Sequence, residues 1–197
     1  MQNEQQESSS SLTEATSSLQ SIINQILSNN TLKQVIQIPK LLQSLIALSL
    51  YKIGTHIGLQ LNQQRLEVRH QSRLCLWNIQ RYGDEQVQSE LVNVEYGKMM
   101  SITFSTAQGI GEEQNQQIYT GLYHIYWFLG SLHQGRTYQP YIQPLPLLAR
   151  RTEEQIEEEG ANEEMEAQMN NNGYDVDVKY EADDAKAVTL NHFIHSN

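Results

Sequence analysis

The sequence predicts an α+β protein with N-terminal helices, a small antiparallel sheet of three or four strands, one long aromatic-rich helix and an acidic flexible C-terminal tail. Apolar residues alternate within 65–105, as they do in strands, whereas they recur at steps of three and four within 111–134, as they do on one face of a helix. At 197 residues and 39% hydrophobic content, the chain is expected to form one domain, 11–151, with less ordered ends.

The first ten residues are rich in Gln and Ser, and they are predicted to be disordered because they offer little apolar surface to bury. An amphipathic helix is predicted to follow. Ser11 and Glu14 form a capping box at its start, where hydroxyl and carboxylate satisfy first-turn amides. Asn29 and Asn30 are predicted to end it.

Residues 41–61 are mostly apolar, so a membrane span has to be weighed against a buried helix. Lys52, His56 and Gln60 are among the polar residues that interrupt every window of about 20 residues that a bilayer would require. A buried helix is therefore predicted. The N-terminus also shows neither the basic region nor the apolar run of a secretory signal, so an intracellular protein, cytoplasmic or within a virion, is expected.

The middle third of the chain supplies the predicted sheet. Residues 65–70 alternate between apolar and charged side chains, and 74–82 are interpreted as a second strand. Residues 91–105 are interpreted as a hairpin that turns at Gly97. The helix over 111–134 is then expected to pack its wide apolar face on this sheet.

The aromatic helix carries more apolar surface than one small sheet can cover. The segment 138–148 adds to this surface, because its three prolines favour an extended arm and its apolar side chains need a groove to occupy. The predicted protein interface comprises the aromatic residues of the helix and the apolar residues of the arm: Tyr119, Tyr123, Tyr126, Trp127, Tyr138, Tyr141, Leu145 and Leu147.

Charge divides the chain unevenly, within a formal net charge of −10. Residues 31–151 hold eleven Lys/Arg against seven acids, whereas 152–197 hold thirteen acids against two lysines. The tail also contains an alternating segment, 174–180, that is predicted to be a strand able to extend a sheet edge. Four arginines near aromatic residues are the candidate nucleic-acid contacts of the predicted sheet: Arg65, Arg69, Arg73 and Arg81.

No residue pattern indicates catalysis, a metal site or a cofactor. The single cysteine, Cys75, lies in an apolar run and is interpreted as a core residue. Gly109 and Gly111 lack the third glycine of a dinucleotide loop, and His192 with His195 would need further ligands to bind a metal ion.

The sequence therefore favours a non-enzymatic interaction or assembly protein that self-associates or docks on a larger complex. A composition with 24 Gln and only six Lys is also compatible with a viral structural or matrix-like protein, although this is an association and not a derivation. The alternative is a protein that binds RNA or DNA and is restrained by its acidic tail, which would compete with the polyanion for the basic body.

Overall fold

The computed structural model describes residues 2–28, 32–52, 58–105, 112–169 and 176–194. The predicted α+β fold is wrong: the protein is all-α, with 83% of residues in helices and no sheet in the described ranges. The β-structure recorded there is an isolated bridge between Arg136 and Ile142.

Ten helices make up the described part of the chain. In chain order they are α1 (Gln2–Leu27), α2 (Leu32–Ile36), α3 (Leu41–Ser49), α4 (Leu59–Tyr82), α5 (Glu85–Asn93), α6 (Tyr96–Ser105), α7 (Glu112–Gln134), α8 (Pro146–Glu158), α9 (Ala161–Met169) and α10 (Val176–Ile194).

The predicted strands are helical where they are described, apart from a short turn at Val94 and Glu95. Residues 65–70 and 74–82 both lie in α4, 91–105 include the last three residues of α5 and all of α6, and the tail segment lies in α10 from Val176 onward. The buried positions of α4 follow a helical period, but Arg65, Ser72 and Arg73 occupy several of them, so the apolar spacing alone did not reveal it. The many Gln, Arg and Leu residues of α4 are also good helix formers.

Some predicted features lie outside the described residues. These are the turn at Asn29 and Asn30, the Gly109–Gly111 segment, the first two residues of the predicted tail strand and His195. The side chain of His192 is likewise not described.

The chain divides into two compact units, of which the first is Met1–Gly83. Its long helices α1 and α4 pack together, and their residues Leu19, Ile23 and Ile79 are almost completely buried. The Cys75 thiol donates to the backbone oxygen of Leu19 at 3.5 Å, and burial raises the pKa of this thiol to about 12. Cys75 is thus a core residue, as predicted. Helix α1 starts at Gln2, so the backbone of residues 2–10 is helical where disorder was expected.

The second unit, Asp84–Asn197, is built around α6. This helix contacts α5, α7, α8 and α9, and it buries Tyr96, Met99, Met100 and Phe104 almost completely. A Cβ atom added at Gly121 of α7 would lie 2.9 Å from the Phe104 Cβ. The glycine therefore allows α6 and α7 to pack closely.

The predicted Pro-rich arm is an ordered connection followed by the first turn of α8. Gly135 has a left-handed φ of 74°, and a Cβ there would collide with the backbone oxygen of Ile142. Arg136 and Ile142 exchange two backbone hydrogen bonds of 2.8 and 3.2 Å, and the Leu145 amide donates to the Leu132 backbone oxygen at 2.7 Å. Pro146 begins α8, since proline is tolerated in a first helical turn.

The acidic tail is helical where it is described, and the prediction of a flexible tail is therefore corrected for 152–169 and 176–194. Helix α10 packs against α7 and α9, and Ala182 and Ala185 of α10 are fully buried. Lys186 forms an ion pair with Glu166 of α9. Apolar packing, rather than free acidic chain, therefore characterises this part of the protein.

None of the helices in the described ranges is both long enough and apolar enough to cross a membrane.

Candidate protein interface

Helix α7 has a buried side and an aromatic side. Ile118, Leu122, Ile125, Leu129 and Leu132, spaced at three and four residues as predicted, are at most 4% exposed. At 3.6 residues per turn, a second set of positions lies on the opposite side of the helix. We call this side the aromatic face; it comprises Gln116, Tyr119, Thr120, Tyr123, Tyr126, Trp127, Gly130 and Gln134.

The rings of the aromatic face contact one another. The Tyr119 and Tyr123 rings stack, with centroids 6.0 Å apart and an interplanar angle of 16°. Trp127 lies 6.0 Å from Tyr123 and 5.7 Å from Tyr126, between ring centroids. The Trp127 side chain nevertheless remains 40% exposed. Mutual contact fixes these rings in place, so a partner would meet a preorganised surface.

The aromatic face has no ionic side chain. No Asp, Glu, Lys or Arg occurs between residues 114 and 134, although the whole chain carries a formal net charge of −10. Depletion of charge and enrichment in Tyr and Trp are the compositional signals of an interface core. The sequence prediction named the aromatic side chains of this face but missed the polar and glycine positions between them. The absence of charged residues between 114 and 134 is the signal that would have indicated these positions.

Gly130 is an open position on this face. An added Cβ there would meet no atom within 4 Å, whereas one added at Gly97 or Gly121 would meet atoms at 2.9 Å. Glycine inside a helix costs roughly 1 kcal/mol relative to alanine. Packing inside the second unit explains the glycines at 97 and 121, but it gives no reason for the one at 130.

Three further exposed apolar side chains, which we call the loop patch, follow α7 along the chain. It consists of Tyr138, Tyr141 and Leu147, which are 49%, 62% and 82% exposed. The Arg136 guanidinium carbon lies 5.8 Å from the centre of the Tyr138 ring. The fourth predicted residue of this segment, Leu145, is half-buried.

The four candidate nucleic-acid arginines lie on α4 and not on a sheet. Arg65 and Arg73 are only 2% and 7% exposed. Arg69 donates from Nη1 to the Tyr51 backbone oxygen at 3.1 Å, and Arg73 donates from Nε to the Arg69 backbone oxygen at 3.2 Å. Arg81 is exposed, 5.6 Å from the centre of the Tyr82 ring.

Burial is the main electrostatic influence on this arginine row. It lowers the pKa of Arg69, with a smaller contribution from the Arg65 charge. It also lowers the pKa of Arg73 to about 10, with a smaller contribution from Arg69. A phosphate backbone needs exposed donors. The positions of Arg65 and Arg73 are more typical of side chains that hold a helix in place.

Comparisons with protein-family models, with curated proteins and with solved structures found no match.

Proposed function

We propose that this protein is a non-enzymatic assembly protein that docks other protein chains through the aromatic face of α7 and the loop patch. The single observation that supports this proposal best is the exposure of Trp127 in a charge-free cluster of stacked rings. Aromatic side chains supply most of the binding energy in many interfaces, because they bury large areas at a low cost in conformational entropy.

The loop patch supports the same proposal. Tyr141 and Leu147 are exposed although their backbone is ordered by the Arg136–Ile142 bridge and by the Leu132–Leu145 hydrogen bond. An ordered loop pays little further entropy when it binds. Two such surfaces would allow one molecule to bridge two neighbours, as assembly proteins do.

Sedimentation velocity of the full-length chain between about 1 and 100 µM tests the proposal. We expect concentration-dependent association in the wild type. Each of two double variants, Tyr123→Ala/Trp127→Ala and Tyr141→Ala/Leu147→Ala, should weaken it at least about tenfold, the effect of losing about 1.4 kcal/mol. Point substitutions are preferable to removal of residues 138–148, because that segment includes the buried Ile142 and the first turn of α8.

A matched control is Tyr180→Ala, since Tyr180 is 66% exposed on α10 and belongs to neither surface. It should associate like the wild type. A wild type that stays monomeric up to 100 µM, or a control that loses association equally, would count against the proposal.

Nucleic-acid binding is the less favoured alternative, because it depends on an arginine row of which two members are buried. Intracellular residence, in the cytoplasm or a virion, stays a prediction from the sequence.

A further inference from the structure

Two neighbouring arginines of α4 carry positive charge that no carboxylate of the described residues meets. We propose that Arg69 and Arg73 form a binding site for a small dianionic oxyanion, such as inorganic phosphate or the phosphate group of a monoester. The inference goes beyond the proposed function, because both arginines belong to the first unit, whereas the aromatic face and the loop patch belong to the second.

The two guanidinium groups lie one helical turn apart on α4. Arg69 faces the end of α3, where its Nη1 donates to the Tyr51 backbone oxygen at 3.1 Å. Arg73 points back toward the preceding turn, because its Nε donates to the Arg69 backbone oxygen at 3.2 Å. Residues four positions apart on a helix have Cβ atoms about 5–6 Å apart. One oxyanion can therefore contact both side chains.

Most N–H donors of these two side chains have no acceptor in the described part of the chain. Each arginine has five such donors. The Nε of Arg69 is buried without a partner there, and the terminal nitrogens of Arg73 donate to no described residue. Arg73 is nevertheless only 7% exposed. Buried charges in proteins are normally paired, because an unpaired charge loses its hydration without compensation. A bound oxyanion would supply the missing acceptors.

The surrounding sequence offers no counter-ion for this pair. No Asp or Glu occurs between Glu14 and Glu67, so α2 and α3 contain no acid. Glu67 itself is exposed, and its Oε1 accepts from the Gln71 Nε2 at 2.7 Å. The carboxyl end of α3 contributes about half an elementary negative charge beside Arg69. That is well short of the two positive charges, so the site favours a dianion.

Within the protein alone, the two positive charges act against each other. Burial, and secondarily the Arg69 charge, lower the pKa of Arg73 to about 10. Like charges four residues apart destabilise a helix. A dianion between the two groups would remove this repulsion, and it would therefore bind the folded chain in preference to the unfolded one.

The burial of Arg73 also limits the size of the ligand. A phosphate monoester has one substituent and carries close to two negative charges at neutral pH. A phosphodiester of a nucleic-acid backbone has two substituents and a single charge. Planar guanidinium groups match the oxygens of a phosphate group with paired hydrogen bonds. Free phosphate or a monoester thus fits the site better than a nucleic acid does.

Phosphorus-31 NMR with the full-length chain, at about pH 7.5 and constant ionic strength, tests the site. We expect saturable broadening of the inorganic phosphate resonance with a dissociation constant of about 1 mM, since two charge-assisted contacts correspond to millimolar affinity. Arg69→Gln and Arg73→Gln should each weaken binding at least about tenfold. Arg69→Gln keeps the test decisive if Arg73→Gln does not fold, because Arg69 is only half-buried.

Two organic phosphates define the class of ligand. Methyl phosphate should bind with an affinity similar to that of inorganic phosphate, and the tighter of the two distinguishes a monoester from the free ion. Dimethyl phosphate should bind at least about tenfold more weakly, because it carries one charge. Equal binding of dimethyl phosphate would overturn the assignment of a dianion and would favour a nucleic-acid backbone.

Arg150→Gln is the matched control, because it removes the same charge from an exposed position in the second unit. It should bind phosphate like the wild type. A wild type without saturable binding would overturn the inference, and so would folded Arg69→Gln and Arg73→Gln variants that bind as tightly as the wild type.

The melting temperature gives a second readout. With a dissociation constant of about 1 mM, 50 mM phosphate should raise it by roughly 5–9 °C relative to sodium chloride of equal ionic strength. Phosphate also stabilises proteins by exclusion from their surface. The decisive quantity is therefore the difference between the wild type and Arg69→Gln. A shift of equal size in both would overturn the inference.

Discussion

Helices α4 and α7 are similar in length but opposite in what they bury. Helix α4 buries charged and polar side chains, including Arg65, Arg73 and Asn78, which are at most 7% exposed. Helix α7 leaves Trp127 40% exposed beside its stacked tyrosines. Residue type therefore identifies the buried side of α7 but not that of α4. In α4 the Arg69 and Arg73 guanidinium groups donate to backbone oxygens, and in α7 the rings contact one another.

The largest expected effect comes from replacing a buried arginine of α4, in comparison with replacing the exposed tryptophan of α7. Arg65→Ala should lower the free energy of unfolding by about 2–5 kcal/mol, as the loss of a long buried side chain does. Trp127→Arg should change it by about 1 kcal/mol or less, because an arginine stem can cover the same surface while its charge remains in water. Urea unfolding at 1 µM, followed by circular dichroism, would measure both. Equal losses of unfolding free energy in the two variants would refute this difference between α4 and α7. A further variant, Arg65→Met, keeps a long side chain without the charge and so separates the effect of packing from that of charge.

A smaller effect distinguishes two positions within α7. Gly121→Val should destabilise the protein by about 1–3 kcal/mol, because its side chain would enter space occupied by Phe104. Gly130→Val should leave the stability of the monomer nearly unchanged, because nothing lies within 4 Å of the new Cβ. Melting temperatures at low protein concentration would compare the two. A similar loss in both variants would show that the face around Gly130 is already covered.

The core beneath α7 offers a third test. The Tyr96 ring packs edge-on against Phe128 at 5.0 Å, but its buried hydroxyl has no hydrogen-bond partner among the described residues. Burial therefore raises the pKa of this tyrosine. Tyr96→Phe should be neutral or stabilising by about 1 kcal/mol, since it removes an unsatisfied polar group.

Thr103→Val is the matched control for Tyr96→Phe. The Thr103 hydroxyl is buried on the same helix and donates to the Met99 backbone oxygen at 2.9 Å. Its loss should cost about 1 kcal/mol. Chemical denaturation of both variants would show whether their changes in unfolding free energy have opposite signs. A loss of stability in Tyr96→Phe would mean that the hydroxyl is satisfied.

The smallest expected effect is on pH dependence in α10, which packs against α7. Burial, and secondarily the Asp184 charge, raise the pKa of Glu181 to about 7. Because this folded-state pKa lies above the unfolded value, the favourable contribution of the neutral carboxyl is complete below about pH 4.5 and is lost as the pH rises through 7.

Glu181→Gln should therefore stabilise the protein at pH 8, by less than about 1 kcal/mol after solvent screening is taken into account. It should have little effect at pH 5. Urea titrations at the two pH values would measure the difference. The matched substitution control is Asp183→Asn, at a more exposed position of the same helix.

The sequence predicted some elements of this protein and failed on others for identifiable reasons. Helix α7 was predicted because its apolar residues keep a helical period from Ile118 to Leu132, about four turns. Helix α4 was interpreted as strands because polar side chains interrupt its buried positions, so a short local alternation near Arg65 dominated. The boundary between the two compact units, after Gly83, was not predicted, because no stretch rich in Pro, Gly or Ser marks it in the sequence.

The sequence selected the candidate interface residues by type, and their use as an interface stays a prediction. Trp127 and Tyr141 are exposed, whereas Leu145 is half-buried and its amide donates to Leu132 at the end of α7. The roles of Gly97 and Gly121 depend on which helices cross there, and no local pattern contains that information.

The exposed indole of Trp127 also gives the protein its own optical reporter. The chain has two tryptophans, and Trp77→Phe would leave Trp127 as the sole emitter at long excitation wavelengths. Its emission should be red-shifted and quenched by iodide in dilute solution, and it should become blue-shifted and protected as neighbours cover the ring. Assembly could then be followed in real time without any attached dye.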